Sequence, residues 1–315
     1  MNAAIICTCV FYYTKWQSGL GVWVVAGIGE LFYALGATIL TETMQDIRLL
    51  VLDIDGTISG KINQVSPQVL EAIQAAQRKG IKVAIATGRM FCSAKRFYEA
   101  IASDVPLIAY NGAWIQDPLQ TLPHQQLSVP ADIALDILDF LSTQAWRSQL
   151  HLHVYHNDEL YVDDFNERTA AYQERTGCKA NLLTDLRDIV TQAPTKILAV
   201  CHTETVPKTL LPLVQKRYTQ QQIYCTQSTA VYVEFTSPTA TKGQAVKFLT
   251  EEILGLQATN VMAIGDNFND REMLEYAGLG VAMGDAPVAL KTVADAVTTS
   301  VEEDGVAEAI AKFLL

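Results

Sequence analysis

The sequence is poor in basic residues. It has 23 Lys and Arg against 34 Asp and Glu, so its formal net charge is −11. Such a chain lacks the positive patch that nucleic acid or anionic lipid requires, and we expect neither as a partner. It also repels a phosphorylated substrate. Any phosphate site therefore needs local positive charge from a metal ion, a lysine or helix N-termini.

The sequence also lacks cysteine pairs of the C-x-x-C type. The spacing of its six cysteines indicates neither a zinc site nor a disulfide framework. We expect buried, reduced thiols in a cytoplasmic protein. These cysteines are Cys7, Cys9, Cys92, Cys178, Cys201 and Cys225.

The first 43 residues are strongly apolar and differ from the rest of the chain. Residues 19–40 form a run of 22 that only Glu30 interrupts, which is long enough to span a bilayer. A carboxylate in mid-membrane costs about 2.5–3.5 kcal/mol, however. Three interpretations stay open: Met44 is the true start, the segment is a membrane anchor, or it is an ordered extra element.

From residue 46 onward, apolar runs alternate with amphipathic stretches. Residues 48–53, 81–86 and 260–266 are nearly continuous apolar runs, which predict strands buried on both faces of a parallel sheet. Ser66 precedes an apolar stripe of helical period and is a typical helix cap. The pattern predicts an α/β fold with a doubly wound, Rossmann-like parallel sheet.

Between residues 117 and 236 the pattern changes to short alternating strands and hairpins. We interpret this stretch as an α+β domain, the cap, inserted into a catalytic core of residues 44–116 and 237–315. One face of the cap sheet is expected to carry helices. The predicted cap elements are strands at 151–156, 159–162, 223–225 and 230–235, an Asn157-Asp158 turn, and helices at 131–141 and 207–218.

Acidic residues follow two of the predicted core strands. Asp53 and Asp55 stand two apart, so in extended backbone they point the same way, and Gly56 lets backbone N–H groups approach an anion. Asp266 and Asp270 stand four apart, so a turn of helix puts them on one side, where they suit Mg²⁺. Helix N-capping by Asp266 or Asn269 is the purely structural alternative.

Hydroxyl and basic side chains lie after the second predicted strand and before a later predicted helix. Thr87 and Gly88 follow the second strand and can donate hydrogen bonds to phosphate, although a helix cap also explains Thr87. Lys242 precedes a predicted helix at 244–253, where its charge adds to the positive end of the helix dipole. Ligands bind at the carboxyl ends of strands in open α/β sheets, so we expect one shared site.

Together these motifs resemble those of the haloacid dehalogenase-like hydrolase superfamily. The motifs are DIDGT from Asp53, ATGR from Ala86, TKG from Thr241 and GDNFND from Gly265. The run GDNFNDREMLEYAGLGVAMGDAP and the triplet NGA from Asn111 are similar to the Cof-type phosphatases, whose large C2B-type cap is inserted between the second and third motifs. The resemblance covers the chain from Met44 onward. Thr241 replaces the usual serine and preserves a hydroxyl.

The resemblance implies a role for each motif residue. Asp53 would be the nucleophile that forms an aspartyl-phosphate, and Asp55 would protonate the leaving oxygen and then deprotonate water. Thr87 and Lys242 complete the expected catalytic residues. Mg²⁺ would be held by Asp53, the backbone carbonyl of Asp55, Asp266 and, directly or indirectly, Asp270. The residues expected to bind phosphate or substrate are Gly56, Thr87, Gly88, Arg89, Asn111, Lys242 and Asn269.

The sequence therefore predicts a Mg²⁺-dependent phosphatase, a phosphoric monoester hydrolase acting on small phosphorylated metabolites such as sugar phosphates or phosphorylated cofactors. A large cap excludes water and selects small substrates. A phosphomutase or phosphotransferase using the same intermediate, and a non-catalytic phospho-ligand sensor, are the alternatives. Monomer and homodimer both stay open. The catalytic part is expected in the cytoplasm, with membrane contact only if residues 19–40 are an anchor.

Three histidines, His151, His153 and His156, lie close together in the cap. Alternate residues of a strand share one face, so a second metal site is one interpretation. Ordinary sheet-surface positions and contact with substrate are the others.

Overall fold

The fold was analysed in a computed structural model that describes residues 46–315. The three interpretations of residues 1–43, including the start at Met44, lie outside the described residues. Among residues 46–315, no helix is long and apolar enough to cross a membrane.

Strands and helices alternate along most of this chain. The strands are β1 (Leu49–Leu52), β2 (Lys82–Ile85), β3 (Leu107–Ala109), β4 (Trp114–Gln116), β5 (Gln125–Gln126), β6 (Leu150–His156), β7 (Glu159–Val162), β8 (Ala180–Leu182), β9 (Lys196–Cys201), β10 (Tyr224–Thr229), β11 (Tyr232–Thr236), β12 (Val261–Gly265), β13 (Leu279–Ala282) and β14 (Ala296–Val297). The helices are α1 (Pro67–Arg78), α2 (Phe91–Ala100), α3 (Ala131–Leu141), α4 (Gln144–Arg147), α5 (Glu167–Thr176), α6 (Arg187–Val190), α7 (Thr205–Arg217), α8 (Lys242–Phe248), α9 (Arg271–Tyr276), α10 (Val288–Lys291) and α11 (Gly305–Phe313).

The first sheet is parallel throughout, with the strand order β14-β13-β12-β1-β2. Strand β1 is central and its four side chains are buried alternately on the two faces. Leu50 and Leu52 pack toward α1, α2 and α11, whereas Leu49 and Val51 pack toward α8, α9 and α10. This confirms the predicted doubly wound α/β fold, since only a strand covered on both sides can be apolar at every position.

Helix α1 shows how local sequence sets the element bounds. The Ser66 hydroxyl accepts a hydrogen bond from the backbone N–H of Val69, and Pro67 occupies the first turn, where a missing N–H costs nothing. Val69, Ile73 and Ala76 then form the buried stripe.

The second sheet lies within the predicted cap and has the order β10-β11-β9-β6-β7-β8. Its pairs are antiparallel except β7 with β8. Helices α3, α6 and α7 cover one face, and α5 packs on the other through Tyr172. The turn at Asn157 and Asp158 has φ of 49° and 61°, the left-handed pair of a type I′ hairpin.

A small antiparallel sheet of β3, β4 and β5 connects the two larger sheets. A single bridge between Ala86 and Ile108 joins it to β2. The cap bounds 117–236 stay a prediction, and the neighbouring strands end at Gln116 and Thr236.

Candidate active site

Three strands of the parallel sheet end beside one another and carry the predicted site residues. Asp53 follows β1, Thr87 comes two residues after β2, and Asp266 follows β12. The fourth segment begins α8 with Lys242. Residues far apart in sequence therefore meet at one sheet edge, as the motif positions predict.

Lys242 is the centre of this arrangement, with 1% of its surface exposed. Its Nζ lies 2.6 Å from Asp53 Oδ1 and 2.5 Å from Asp270 Oδ1. Burial lowers the pKa of Lys242, but the carboxylates of Asp270 and Asp53 raise it more, so the net shift is upward and the amine stays charged. The Thr241 hydroxyl caps α8 by accepting from the N–H of Gln244. The helix thus begins two residues before the predicted 244 and passes into a π-helical turn at Leu249–Ile253.

Asp53 lies at the floor of the site, with 4% of its surface exposed. Burial is the main cause that raises its pKa to about 7, and the charges of Asp270 and Asp55 act in the same direction. Lys242 opposes them. Asp53 is therefore a carboxylate that needs positive charge around it to stay ionised near neutral pH.

The loop after β12 is held in shape by Asp270, which is fully buried. Its Oδ2 accepts hydrogen bonds from the backbone N–H groups of Asp266 and Asn267, at 2.9 and 3.0 Å. The Asn267 side chain caps the short 3₁₀ turn at Phe268–Asp270 that precedes α9. The cap residue is therefore Asn267, and Asp266 and Asn269 are not used for capping.

The carboxylates of Asp53, Asp266 and Asp270 could hold a metal ion. They offer oxygen atoms that all lie within 4.8 Å of one another. Burial, followed by the charges of Asp53 and Asp270, raises the pKa of Asp266 to about 9. Gly56, with φ of 85°, leaves the space that this cluster needs, because a Cβ there would lie 2.3 Å from Asp266 Oδ2. Hard oxygen donors at this separation fit a divalent cation.

Asp55 is bound by two arginines from different parts of the chain. Arg89 binds it bidentately, at 2.7 and 2.6 Å, and Arg175 of α5 donates to its Oδ1 at 2.7 Å. Burial raises the pKa of Asp55, but Arg89 and then Arg175 outweigh it and bring the pKa down to about 2. Asp55 therefore holds no proton in this arrangement. Arg89, expected at the phosphate, instead pairs with Asp55 here.

Thr87, Gly88, Asn111 and Asn269 form the side of the site next to the cap. The Thr87 hydroxyl accepts from the N–H of Arg89 at 3.2 Å and does not cap α2, which begins at Phe91. Asn269 donates to Asn111 Oδ1 at 3.0 Å, and Asn111 donates to the cap at Glu234, at 2.8 Å. Gly88 approaches Asn111 closely.

The cap supplies site residues that the sequence analysis did not identify: Arg175, Lys196 and Glu234. Lys196 Nζ donates to the backbone carbonyl of Gly88 at 3.0 Å and lies 3.4 Å from Glu234 Oε1. The side chains of Lys196 and Glu234 are both buried. The sequence signal for them was a charged residue inside an otherwise apolar strand, Lys196 in KILAVC and Glu234 in YVEFT. Arg175 sits on a polar helix and gave no such signal.

A cavity of about 90 Å³ lies between the core and the cap. Its lining includes several of the predicted site residues of the core, together with polar side chains of the cap sheet. The lining residues are Asp53, Asp55, Gly88, Arg89, Tyr172, Arg175, Thr176, Lys196, Leu198, Ser228, Thr229, Tyr232, Glu234, Asp266, Asn267 and Asn269.

The cap histidines do not line this cavity. His151 Nε2 lies 2.7 Å from the Thr169 hydroxyl, and His153 Nδ1 lies 3.3 Å from that of Tyr155. Burial, then the neighbouring His151, lowers the pKa of His153 to about 3. The sheet-surface interpretation is wrong for His151 and His153, which are buried. Within residues 46–315, the aspartate cluster is the grouping with metal-ligand geometry.

The expectation of reduced cysteines is wrong for one pair. A disulfide joins Cys92 and Cys178, which are 86 residues apart, whereas Cys201 and Cys225 are free. The spacing could not reveal this pair, because only the tertiary fold brings α2 and the end of α5 together.

Comparisons with known proteins cover nearly all of the described chain. A family model described as haloacid dehalogenase-like hydrolase matches residues 50–310. Phosphatase YwpJ of Bacillus subtilis is 30% identical over 83% of this chain and 98% of its own length. Pyridoxal phosphate phosphatase YbhA of Escherichia coli is 30% identical over 85% and 99%. The structure of a haloacid dehalogenase-like hydrolase from B. subtilis matches with a TM-score of 0.74 at 28% identity, over 85% of this chain and all of its own.

Proposed function

The chain belongs to the haloacid dehalogenase-like hydrolase family, among its Cof-type phosphatases, and from this premise we propose that it hydrolyses small phosphorylated metabolites with Mg²⁺ through a phosphate carried on Asp53. One observation carries the proposal. Asp53 lies at the floor of the cavity, bound by Lys242 and within 4.8 Å of carboxylate oxygens of Asp266 and Asp270.

Asp53 performs the first step in this proposal. One of its carboxylate oxygens attacks phosphorus, the bond to the ester oxygen breaks, and the phosphoryl group remains on Asp53. Lys242 binds Asp53 Oδ1 and fixes the carboxylate in one orientation. Its charge also lies where the phosphoryl oxygens arrive, and it is preorganised because Asp270 holds it from the other side.

The ion would be held by Asp53, Asp266 and the backbone carbonyl of Asp55. Asp270 supports this set through the loop, since both of its oxygens already accept hydrogen bonds. When bound, Mg²⁺ supplies positive charge that offsets the carboxylates and the phosphate. Without this positive charge the repulsion between phosphate and carboxylates would be large, because two like charges 4 Å apart repel by about 4 kcal/mol at an effective dielectric of about 20.

Asp55 is proposed as the acid and base. The carboxylate form held by Arg89 and Arg175 suits the second step, in which Asp55 takes a proton from the attacking water. The water oxygen bonds to phosphorus, the bond from phosphorus to the Asp53 oxygen breaks, and inorganic phosphate leaves with the Asp53 carboxylate restored. The first step needs a proton on Asp55, so a guanidinium must leave it. We assign this movement to Arg175, whose side chain is 47% exposed against 8% for Arg89.

The cavity fits a small, polar leaving group. Its cap side presents Arg175, the paired charges of Lys196 and Glu234, and the hydroxyls of Ser228 and Tyr232. Sugar phosphates and phosphorylated cofactors both match this lining, and the relative YbhA is named a pyridoxal phosphate phosphatase. Phosphate release across a panel of both substrate classes identifies the substrate. Neither phosphotransfer nor ligand sensing has an observation here that favours it over hydrolysis.

The direct test replaces Asp53 by Asn, which keeps the size and removes the nucleophile. We expect kcat to fall by about 10⁴-fold or more in the phosphate-release assay. The matched control is Asp132→Asn, an exposed aspartate at the start of α3, which should keep wild-type activity. Appreciable turnover by the Asp53 variant would exclude the nucleophilic role.

A further inference from the structure

The Cys92–Cys178 disulfide links the catalytic core to the cap. Cys92 lies in the first turn of α2, in the core, and Cys178 lies two residues beyond the last residue of α5, in the cap. The other described cysteines are poor candidates for exchange, because burial raises the pKa of the Cys201 thiol to about 11 and that of Cys225 to about 12. Among the described cysteines, Cys92 and Cys178 are therefore the pair suited to thiol–disulfide exchange.

The link joins the two segments that bind Asp55. Cys92 stands three residues after Arg89, and Cys178 stands three residues after Arg175, and both arginines contact Asp55. Asn63 connects them again, since it accepts from Arg89 Nη2 at 2.8 Å and donates to the backbone carbonyl of Arg175 at 2.9 Å. The disulfide therefore lies beside the contact through which the cap closes on the proposed acid–base residue.

The cap also rests on α2 next to the disulfide. Asp158, in the β6–β7 turn, accepts from the backbone N–H of Cys92 at 2.8 Å and from the Tyr110 hydroxyl at 2.8 Å. These contacts are noncovalent and can open and close. With the disulfide formed, the Cα atoms of Cys92 and Cys178 stay 6.6 Å apart, so the cap cannot separate from the core at this edge.

We propose that Cys92 and Cys178 form a thiol–disulfide exchange site through which a dithiol reductant frees the cap and raises turnover. This rests on the proposed function for its activity readout. Asp53 is almost fully buried beneath the cap, so substrate entry and phosphate release require the cap to move. The oxidised enzyme turns over slowly, and the reduced enzyme turns over freely.

The accessibility of the two sulfur atoms determines which one the reductant attacks. Cys92 is exposed and Cys178 is 6% exposed. A thiolate of the reductant attacks the Cys92 sulfur, and Cys178 leaves as a thiolate that takes up a proton. The second thiol of the reductant then displaces Cys92 from the mixed disulfide. Two electrons and two protons pass to the protein, and the reductant ends as a disulfide.

The experiment compares the full chain after treatment with dithiothreitol and with its oxidised cyclic disulfide. Non-reducing digestion and mass spectrometry should find the Cys92–Cys178 peptide pair only in the oxidised sample. Reduction should raise kcat for a small phosphate ester by at least about fivefold. Cys92→Ser combined with Cys178→Ser should be active in both conditions, whereas Cys225→Ser should keep the wild-type response. Absence of the peptide pair, or equal kcat in both wild-type states, overturns the proposal.

A second readout does not depend on phosphatase activity. Hydrogen exchange in α5 (Glu167–Thr176) should be faster in the reduced protein, because the cap helix then opens without a covalent link. If α5 exchange rises on reduction while no phosphate ester is hydrolysed in either state, the proposed function fails and cap release stands. Unchanged exchange in α5 refutes cap release whatever the activity.

Discussion

Removal of the divalent cation should destabilise the protein more at high pH than at low pH. The reason is Asp53, whose pKa burial raises from 3.8 to about 7. Below pH 4 the folded and unfolded chains both hold this proton. Between about pH 4 and 7 the unfolded chain releases it and the folded chain keeps it, so metal-free stability falls as the pH rises.

The size of this effect follows from the shift. Each pKa unit corresponds to about 1.4 kcal/mol, so the rise of about three units for Asp53 is equivalent to about 4 kcal/mol. Asp266, with a pKa raised to about 9 by burial and its acidic neighbours, acts in the same direction up to higher pH. A bound cation competes with these protons and favours the ionised carboxylates.

The assay is urea unfolding at pH 5, 6, 7 and 8, in chelator and in saturating Mg²⁺. In chelator the free energy of unfolding should fall, through Asp53, by about 3 kcal/mol between pH 5 and 8 beyond the fall seen with Mg²⁺, because about two of the three pKa units lie above pH 5. Asp53→Asn should remove the share of this metal-dependent difference that Asp53 contributes, whereas Asp132→Asn should retain the whole difference. Equal pH slopes with and without Mg²⁺ would refute the reasoning.

Three further substitutions probe separate parts of the site. Lys242→Met should lower the free energy of unfolding by about 3–5 kcal/mol in chelator and abolish turnover, because it leaves two buried carboxylates uncompensated. Urea titration measures the stability and phosphate release measures the turnover. Near-wild-type stability would contradict the claim that Lys242 compensates these buried carboxylates. Arg175→Gln should lower kcat/KM by about tenfold or more, since it removes a positive charge of the cap that lines the cavity and is free to bind substrate once it leaves Asp55. The exposed Arg168→Gln on the same helix should not lower it, and equal rates for the two variants would remove Arg175 from the account. Glu234→Gln should raise KM for the preferred metabolite by about tenfold and keep the rate of p-nitrophenyl phosphate hydrolysis within about threefold of the wild-type rate. Parallel losses on both substrates would exclude a role of Glu234 in leaving-group recognition.

Much of the fold could be predicted because its signals are local. Helix α3 has the predicted bounds Ala131–Leu141, since its apolar side chains repeat with helical period. The turn at Asn157-Asp158 was predicted because these residues adopt positive φ at little cost. Strands β1 and β12 are apolar at every position, as burial on both faces requires.

The missing parts of the site depend on contacts between distant segments. Arg175 and Asp55 are 120 residues apart, and no local pattern indicates that a polar helix will place one guanidinium on that carboxylate. The disulfide was missed for the same reason, since Cys92 and Cys178 meet only after the cap packs on the core. Asp55 shows the chemical consequence. From its motif we expected a group able to hold a proton, whereas its two arginine partners keep it ionised in this arrangement.

The central claim is that four separate segments assemble one cation-assisted phosphoryl site on Asp53. A crystal structure of the protein with Mg²⁺ and beryllofluoride tests it most directly, because beryllofluoride mimics a phosphoryl group on a carboxylate. The account predicts beryllium bonded to an Asp53 oxygen, fluorides contacted by Lys242, and the ion between Asp53 and Asp266. Beryllofluoride on another residue, or an ion bound away from these aspartates, would contradict it.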